Sequence, residues 1–504
     1  MTNSINNEFV SHASALDRAQ AGVADLARSR NDRWYPRFHI ASDGGWINSP
    51  NGFCFFRGRW HVFYQLNPFD TQWGTMHCGH VSSEDLVTWR REPIALAPSL
   101  EADRDGIYSG SAVVGDDGRL WLFYTGHRWA NGVDPSGGNF EVQCAAVSDD
   151  GVHFEKIGMV IDNVDGFNHF RDPKVWKQDG LWYMVFGMST KNRRGQVLLY
   201  VSEDMLIWHF HSILYRHPNP GVFMLESLDF FPLSDKEGNE HWVLSFSALG
   251  ERPNGFANRN PHTASYVIGS WAPGEEFAPR TEFRMWDWGH NFYAPQTVRA
   301  DDGRTLQYGW MSPFTPARPN QGDGWCGQLS IPREISLDSY GCIRINPARE
   351  LTRLRTDTID FGAVHLDANE TTTVMADCDA VEIEMEIDIN ESTAEFGGLK
   401  VHSTKDNAHS SVFYDAQTHR ILIDRHANAR GDRGYRAAPF TSNTLKLRVF
   451  VDRASIEVFI NDGEQAMSSY SFPSEGPRAI ELSAESGTLE IPTLRVHHLS
   501  PIGL

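Results

Sequence analysis

Two carboxylates and a hydroxyl stand at comparable points of a repeating pattern in this chain. Ser49, Asp172 and Glu226 lie nine, eight and twelve residues before Gly58, Gly180 and Gly238, glycines that each introduce an aromatic-rich stretch. Carboxylates that face one another in a pocket can cleave glycosides: one attacks the sugar or activates water, and the other donates a proton to the leaving oxygen. Taken singly, Asp172 beside Arg171 reads as an ordinary ion pair, and Glu226 alone says less. Their recurrence at near-equivalent places makes them candidates, because equivalent positions of a radial repeat converge on one axis.

The repeat that would position them is explicit. Gly58 introduces WHVFY, Gly118 LWLFY, Gly180 LWYMVF, Gly238 HWVLSF and Gly303 LQYGWM, at separations of 60, 62, 58 and 65 residues. A second signature leads from Ser83 to Trp89, from Ser148 to Phe154 and from Ser202 to Trp208, always across six residues. A unit of about sixty residues holds about four short strands with their turns. Five such units in a ring leave few exposed sheet edges, so an all-β fold with a five-bladed β-propeller over residues 31–349 is expected. The innermost strand of each blade would then be the segment before the turn glycine: Trp46–Gly52, Tyr108–Ser111, Arg171–Pro173, Leu225–Ser227 and Phe292–Gln296.

The flanks read differently. In the N-terminal extension, residues 1–30, the spacing of Ala15, Leu16, Ala19, Val23 and Leu26 predicts a short amphipathic helix over 9–30 that docks on the main body. A linker, 350–358, carries alternating charge and suggests a short helix. Residues 359–504 alternate strictly, as in VEIEMEIDI, LKLRVFVD and SIEVFI with the turn Asn461-Asp462-Gly463, and predict a β-sandwich.

Composition narrows the partners. The net charge of −20 disfavours nucleic acid and anionic membranes and suits a small neutral sugar. The six cysteines form no C-x-x-C pair and, with no metal-ligand spacing elsewhere, suggest neither metal nor cofactor. The first residues show no basic segment followed by an apolar core, so a cytoplasmic monomer or homodimer with free thiols is expected.

Along these residues the chain closely resembles glycoside hydrolase family 32, which comprises invertases, fructofuranosidases, inulinases and levanases. The shared motifs run in order from about Tyr35 to Val496: WINSPNGF, FYQLNPFDTQWGTMHCGH, SSEDLVTW, YSGSAV, FYTG, FRDPKVW, FYAPQT, GWM, SIPRE and SIEVFINDG. The resemblance implies a retaining mechanism on a terminal fructofuranosyl unit, without metal or cofactor. An Asp of the first motif attacks the anomeric carbon, the Glu of the fourth blade is acid and then base, and the Asp of the RDP motif binds fructose and steadies the oxocarbenium-like transition state. Carried onto this chain, Glu226 is the acid/base and Asp172 the stabiliser. Asn48, Gln65, Trp73, Tyr108, Ser109, Arg171 and Trp310 form the fructose pocket. Retaining geometry sets nucleophile and acid about 5–5.5 Å apart, which lets Glu226 keep its proton beside an ionised Asp.

Three residues depart from the pattern. Ser49 occupies the nucleophile position of W-x-N-D-P-N-G, and its shorter, weakly nucleophilic side chain implies a chain inactivated by several orders of magnitude. The undisturbed motifs around it, and the absence of any single-base route from an Asp to a Ser codon, favour a deliberate replacement. Ser227 stands where Cys usually follows the acid/base and bears on its tuning, and Asn291 replaces a frequent Asp and bears on leaving-group preference. Sucrose and short fructo-oligosaccharides are the expected substrates. An inulinase or levanase, a naturally non-catalytic fructoside-binding protein and a pentose-glycosidase of the related five-bladed families are the alternatives. Loops 128–139 and 250–265 are expected to set chain-length preference.

Overall fold

The computed structural model describes residues 11–312 and 318–504. Five antiparallel sheets form the propeller. Their innermost strands are Gly45–Phe56, Gly106–Val114, Phe170–Gln178, Met224–Ser234 and Tyr293–Arg299, and each sheet then runs outward in chain order. Each inner strand turns into the second through the predicted glycine. At Gly58 and Gly180 both turn residues have positive φ (Arg57 48°, Gly58 79°; Asp179 48°, Gly180 86°), the two-residue hairpin whose twist matches that of the flanking strands. An added Cβ at either glycine would meet nothing within 4 Å, so the backbone conformation and not crowding selects glycine there. The aromatic of each repeat (Phe63, Phe123, Phe186, Phe246, Tyr308) is almost wholly buried between sheets. Trp325–Cys326 pairs in parallel with Gly45–Trp46 and joins the end of the ring to its beginning.

The second signature is structural. Asp85 accepts backbone hydrogen bonds from Val87 and Thr88, Asp204 from Leu206 and Ile207, and Asp150 from Val152 and His153. Trp89 and Trp208 each donate Nε1–H to a carbonyl three residues back, at 2.9 Å. The pattern is a side-chain-capped turn leading to the outer strand of a blade.

The N-terminal helix spans His12–Arg28, with Ser14 N–H donating to the Ser11 hydroxyl as a cap. The start of the predicted helix, residues 9 and 10, lies outside the described residues. Ala15 and Ala19 are buried against blade one, where Gly22 and Gly44 admit close backbone approach. Residues Arg349–Leu354 form a 3-10 helix, and a strand, Arg355–Leu366, begins within the stretch read as linker because it pairs with Leu489–Leu499. Two six-stranded sheets then pack face to face as the sandwich, over a core that includes Ile383, Met385, Leu447, Val449 and Val458. Among the described residues no helix is long and apolar enough to cross a membrane.

Buried charges join sandwich to propeller. His39 places Nδ1 2.7 Å from Asp452 and Nε2 3.0 Å from Glu457. Burial opposes its charge, but the two carboxylates win and raise its pKa to about 9. In turn Asp452 is lowered and Glu457 falls to about 2 despite burial, chiefly through their bonds to His39. The triad therefore stabilises the fold fully between the ordinary carboxylate and imidazole values. Its carboxylate part fades as pH falls toward 2 and its imidazole part as pH rises from 6.5 through about 9. The unfolding free energy measured by urea titration should thus fall by an amount on the order of 3 kcal/mol between pH 6.5 and 9.5. His39→Gln should lower stability at pH 6.5 and flatten this alkaline slope; an unchanged slope would exclude His39 as its source.

Candidate active site

Each inner strand breaks its pairing at the same depth. Two residues oppose one at Asn48–Ser49, Asp172–Pro173, Ser227–Leu228 and Ala294–Pro295, and Ser109 is a single extra residue in blade two. Such bulges bend a strand and re-aim its side chains. Asp172, Ser227 and Ala294 sit at φ 70°, 54° and 52°, a left-handed conformation that costs a non-glycine residue about 1–3 kcal/mol. The register also corrects the equivalence read from spacing. Glu226 is the last paired residue before its bulge, as Arg171 and Tyr293 are before theirs, so the counterpart of Asp172 is Ser227. Ser49, Asp172 and Glu226 are staggered across the bulge, yet their side chains meet.

They meet in a well of about 440 Å³ lined by Ser49, Asp172 and Glu226 together with Asn48, Gln65, Trp73, Tyr108, Ser109, Arg171 and Trp310. Trp129, Pro135 and Asn139 of loop 128–139 complete one wall, whereas residues of loop 250–265 line a separate cleft against the sandwich. Trp46 Nε1 donates to Asn48 Oδ1 (3.0 Å), Asn48 donates to Gln65 Oε1, and Gln65 Nε2 donates to Ser109 Oγ (3.0 Å), a fixed polar shelf beside Ser49. Tyr108 stacks on His127 at 4.1 Å between ring centres. Among the described residues no histidine or carboxylate hydrogen-bonds to the Ser49 hydroxyl, so no base activates it.

The charged floor is a line of alternating sign. Glu141, fully buried, accepts from Arg171 Nη1 through both oxygens at 3.0 Å and from Phe170 N–H at 2.7 Å. Arg171 Nη2 donates to Glu226 Oε1 (2.5 Å), and the Tyr293 hydroxyl donates to Glu226 Oε2 (2.6 Å). Ser227 N–H donates to Asp172 Oδ2 (2.7 Å), so the residue after Glu226 holds the second carboxylate. Burial would raise the pKa of Glu226, but the Arg171 charge and the bonds from Tyr293 and Arg171 hold it below its ordinary value. Burial dominates at Asp172 and raises it to about 7. Glu226 is thus held toward its ionised form, whereas an acid that keeps its proton was expected, and Asp172 is the carboxyl that burial pushes toward its protonated form.

Glu141 and Tyr293 were missed as site residues. Tyr293 was legible as the fifth-blade counterpart of Glu226. Glu141 was marked only by an acid inside the apolar run FEVQCAAV. Asn291 does not reach the well: its amide donates to Ser312 O (2.6 Å) and accepts from Tyr470 N–H (2.9 Å), which turns it toward the sandwich. Because Glu141 shares the Arg171 charge, Glu141→Gln should leave Glu226 more strongly acidic. In a chain with Asp at position 49, the alkaline limb of the kcat/KM profile should then move to lower pH by about one unit. A profile shifted upward, or not at all, would contradict this charge sharing.

Residues 39–347 match the model of the glycosyl hydrolases family 32 N-terminal domain, and residues 350–498 match the family 32 C-terminal domain. The chain belongs to glycoside hydrolase family 32. Among its family relatives, sucrose-6-phosphate hydrolase and raffinose invertase of Escherichia coli are each 38% identical, over 94% of this chain and 97% and 96% of theirs. Among solved structures, the Bombyx mori GH32 β-fructofuranosidase BmSUC1 superposes with a TM-score of 0.85 at 31% identity, covering 98% of this chain and 99% of that one. An aspartate-to-alanine mutant of that enzyme in complex with sucrose gives a TM-score of 0.84 at the same identity, covering 99% of both chains. The family likeness agrees with a hydrolase built on a propeller and a sandwich.

Proposed function

We propose that the chain is a retaining β-fructofuranosidase scaffold for sucrose and short fructo-oligosaccharides, arrested by Ser49 at the nucleophile position. The observation that carries this reading is the meeting of Asp172 and Glu226 in one well, joined through Arg171 and the Ser227 amide, with the whole predicted fructose pocket around them. In this reading the fructosyl ring sits on the shelf of Asn48, Gln65 and Ser109, with Asp172 holding its hydroxyls. Glu226 protonates the oxygen between the sugars, and a carboxylate at position 49 forms the C2–O bond as the leaving sugar departs. Water, deprotonated by Glu226, then attacks C2 and releases fructose. The substrates named for the Escherichia coli relatives, and the sucrose held by the BmSUC1 mutant, support a sucrose-type ligand. The six free cysteines support a reducing, cytoplasmic setting.

The same well favours a second reading, a naturally non-catalytic fructoside-binding protein, because Ser49 removes the reaction without disturbing the binding shelf. Product analysis on Ser49→Asp with sucrose, 1-kestose and inulin separates the readings. Sucrose and kestose should be turned over best, with terminal fructose released. Inulin turned over best would overturn the substrate ranking, and failure on all three would leave the binding protein.

A further inference from the structure

We infer that the N-terminal helix is a positioning element of the well: Gly22 seats against Pro68 and Phe69 and so holds the loop that brings Trp73 to the mouth. The inference rests on the fructosidase reading, which puts Trp73 against the sugar. The helix, His12–Arg28, precedes residues 39–347, the stretch that matches the family 32 N-terminal domain.

Trp73 needs such a support. It lines the well but is 46% exposed, and it meets Tyr108 edge-on with ring centres 6.1 Å apart. Its place is therefore set by the backbone of loop 68–76, which joins the second and third strands of blade one, Arg59–Asn67 and His77–Ser83. Asn67 folds that loop: its Oδ1 accepts from Phe69 N–H (3.1 Å), and its Nδ2 donates to Gln72 O (2.8 Å). The fold is tight, since a Cβ on Gly74 would lie 2.7 Å from Asn67 Nδ2. Gln321 Nε2 donates to Thr71 O (2.8 Å) and steadies the middle of the loop. These bonds fix the backbone near Asn67 and Thr71, while the Phe69 ring stays half in solvent.

The helix closes the remaining side. A Cβ on Gly22 would lie 2.6 Å from Pro68 O and 2.7 Å from a Phe69 ring carbon, so the helix backbone rests directly on both residues. A glycine inside a helix weakens it relative to alanine, so close contact, and not helix propensity, accounts for Gly22. A larger side chain there must either lift the helix or push the loop. Lifting is opposed at both ends. His12 Nε2 accepts from Ala97 N–H (3.2 Å), and just beyond the last turn Arg30 Nη1 donates to Asp43 Oδ1 (2.9 Å). The last turn also lies close to blade one, where a Cβ on Gly44 would be 2.6 Å from Leu26 Cβ. The loop is the softer partner, because the pairing of its flanking strands ends at Leu66 and His77. Phe69 passes a shift on, since its ring packs edge-on against His77 with centres 5.5 Å apart.

Because Ser49 stops turnover, sucrose can be titrated calorimetrically into the chain as it stands. Gly22→Leu should weaken sucrose binding about ten-fold, and Trp73→Ala by at least as much. The two together should bind no more weakly than Trp73→Ala alone, because the helix acts through that ring. Ala24→Leu, on the side of the helix that lines a hollow of about 520 Å³, should leave the affinity within about two-fold. Phe69→Ala removes the seat without altering the helix; it should weaken binding about three-fold, and it decides the matter if Gly22→Leu does not fold. Amide exchange needs no sugar. In Gly22→Leu it should quicken about ten-fold over 68–76, while Cys78 and Ala95, bonded within blade one, stay slow. Losses that simply add in the double variant, or unchanged affinity in a folded Gly22→Leu chain, overturn the clamp and leave the fructosidase reading intact. A chain that binds no sucrose overturns that reading; unchanged exchange over 68–76 then overturns the clamp as well, and quickened exchange upholds it.

Discussion

Replacing Ser49 with Asp should raise kcat for sucrose by roughly 10⁴-fold, equivalent to about 5.5 kcal/mol of barrier. The gain has two physical sources. A carboxylate extends further than a hydroxymethyl group and attacks without losing a proton, whereas the Ser49 hydroxyl has no base to activate it. The new charge also acts on the acid. In the present well Arg171 and Tyr293 hold Glu226 ionised, the wrong state for protonating a leaving oxygen. An anion at position 49 repels that charge and moves the pKa of Glu226 upward. The variant should therefore show a bell-shaped profile. Its acid limb marks deprotonation of the carboxylate at 49, and its alkaline limb marks loss of the Glu226 proton. Tightly bound sucrose with no hydrolysis at any pH would refute the assignment of position 49.

Much of this was legible in the sequence because a propeller writes its geometry as a period. The five turn glycines locate the inner strands, and those strands bring Asn48, Ser109, Asp172 and Glu226 to one axis. The bulges were not legible, since two-against-one pairing is a property of the partner strand. That is why spacing equated Asp172 with Glu226, although the register equates Asp172 with Ser227. The protonation order was not legible either, because it depends on Glu141, which reaches Arg171 from the third strand of the preceding blade. Trp129, Pro135 and Asn139 entered only through the conformation of loop 128–139.

The join between propeller and sandwich shows the same division. SIEVFINDG stands out as a motif, but its Glu457 works at a distance from the well. It accepts from Ile331 N–H (2.8 Å), contacts His39, and faces Arg333 Nη2 at 2.8 Å, an atom also 2.9 Å from Asp287 and 2.5 Å from Ser468. Arg333 is fully buried and its guanidinium stacks 4.1 Å from the centre of the Phe292 ring. Arg333→Met keeps most of the volume and removes the charge, so Asp287 remains buried without its cation and Glu457 is left with His39 alone. Stranding buried charges in this way costs about 3–5 kcal/mol. The urea midpoint should fall accordingly, more at pH 8 than at pH 5, where protonation relieves part of the repulsion between the two acids. Arg333→Met combined with Asp287→Asn and Glu457→Gln should recover much of the loss, because a neutral network no longer holds an unpaired charge. If the single variant loses under about 1 kcal/mol, or the triple variant is the least stable of the set, these charges do not fasten the two sheet systems together.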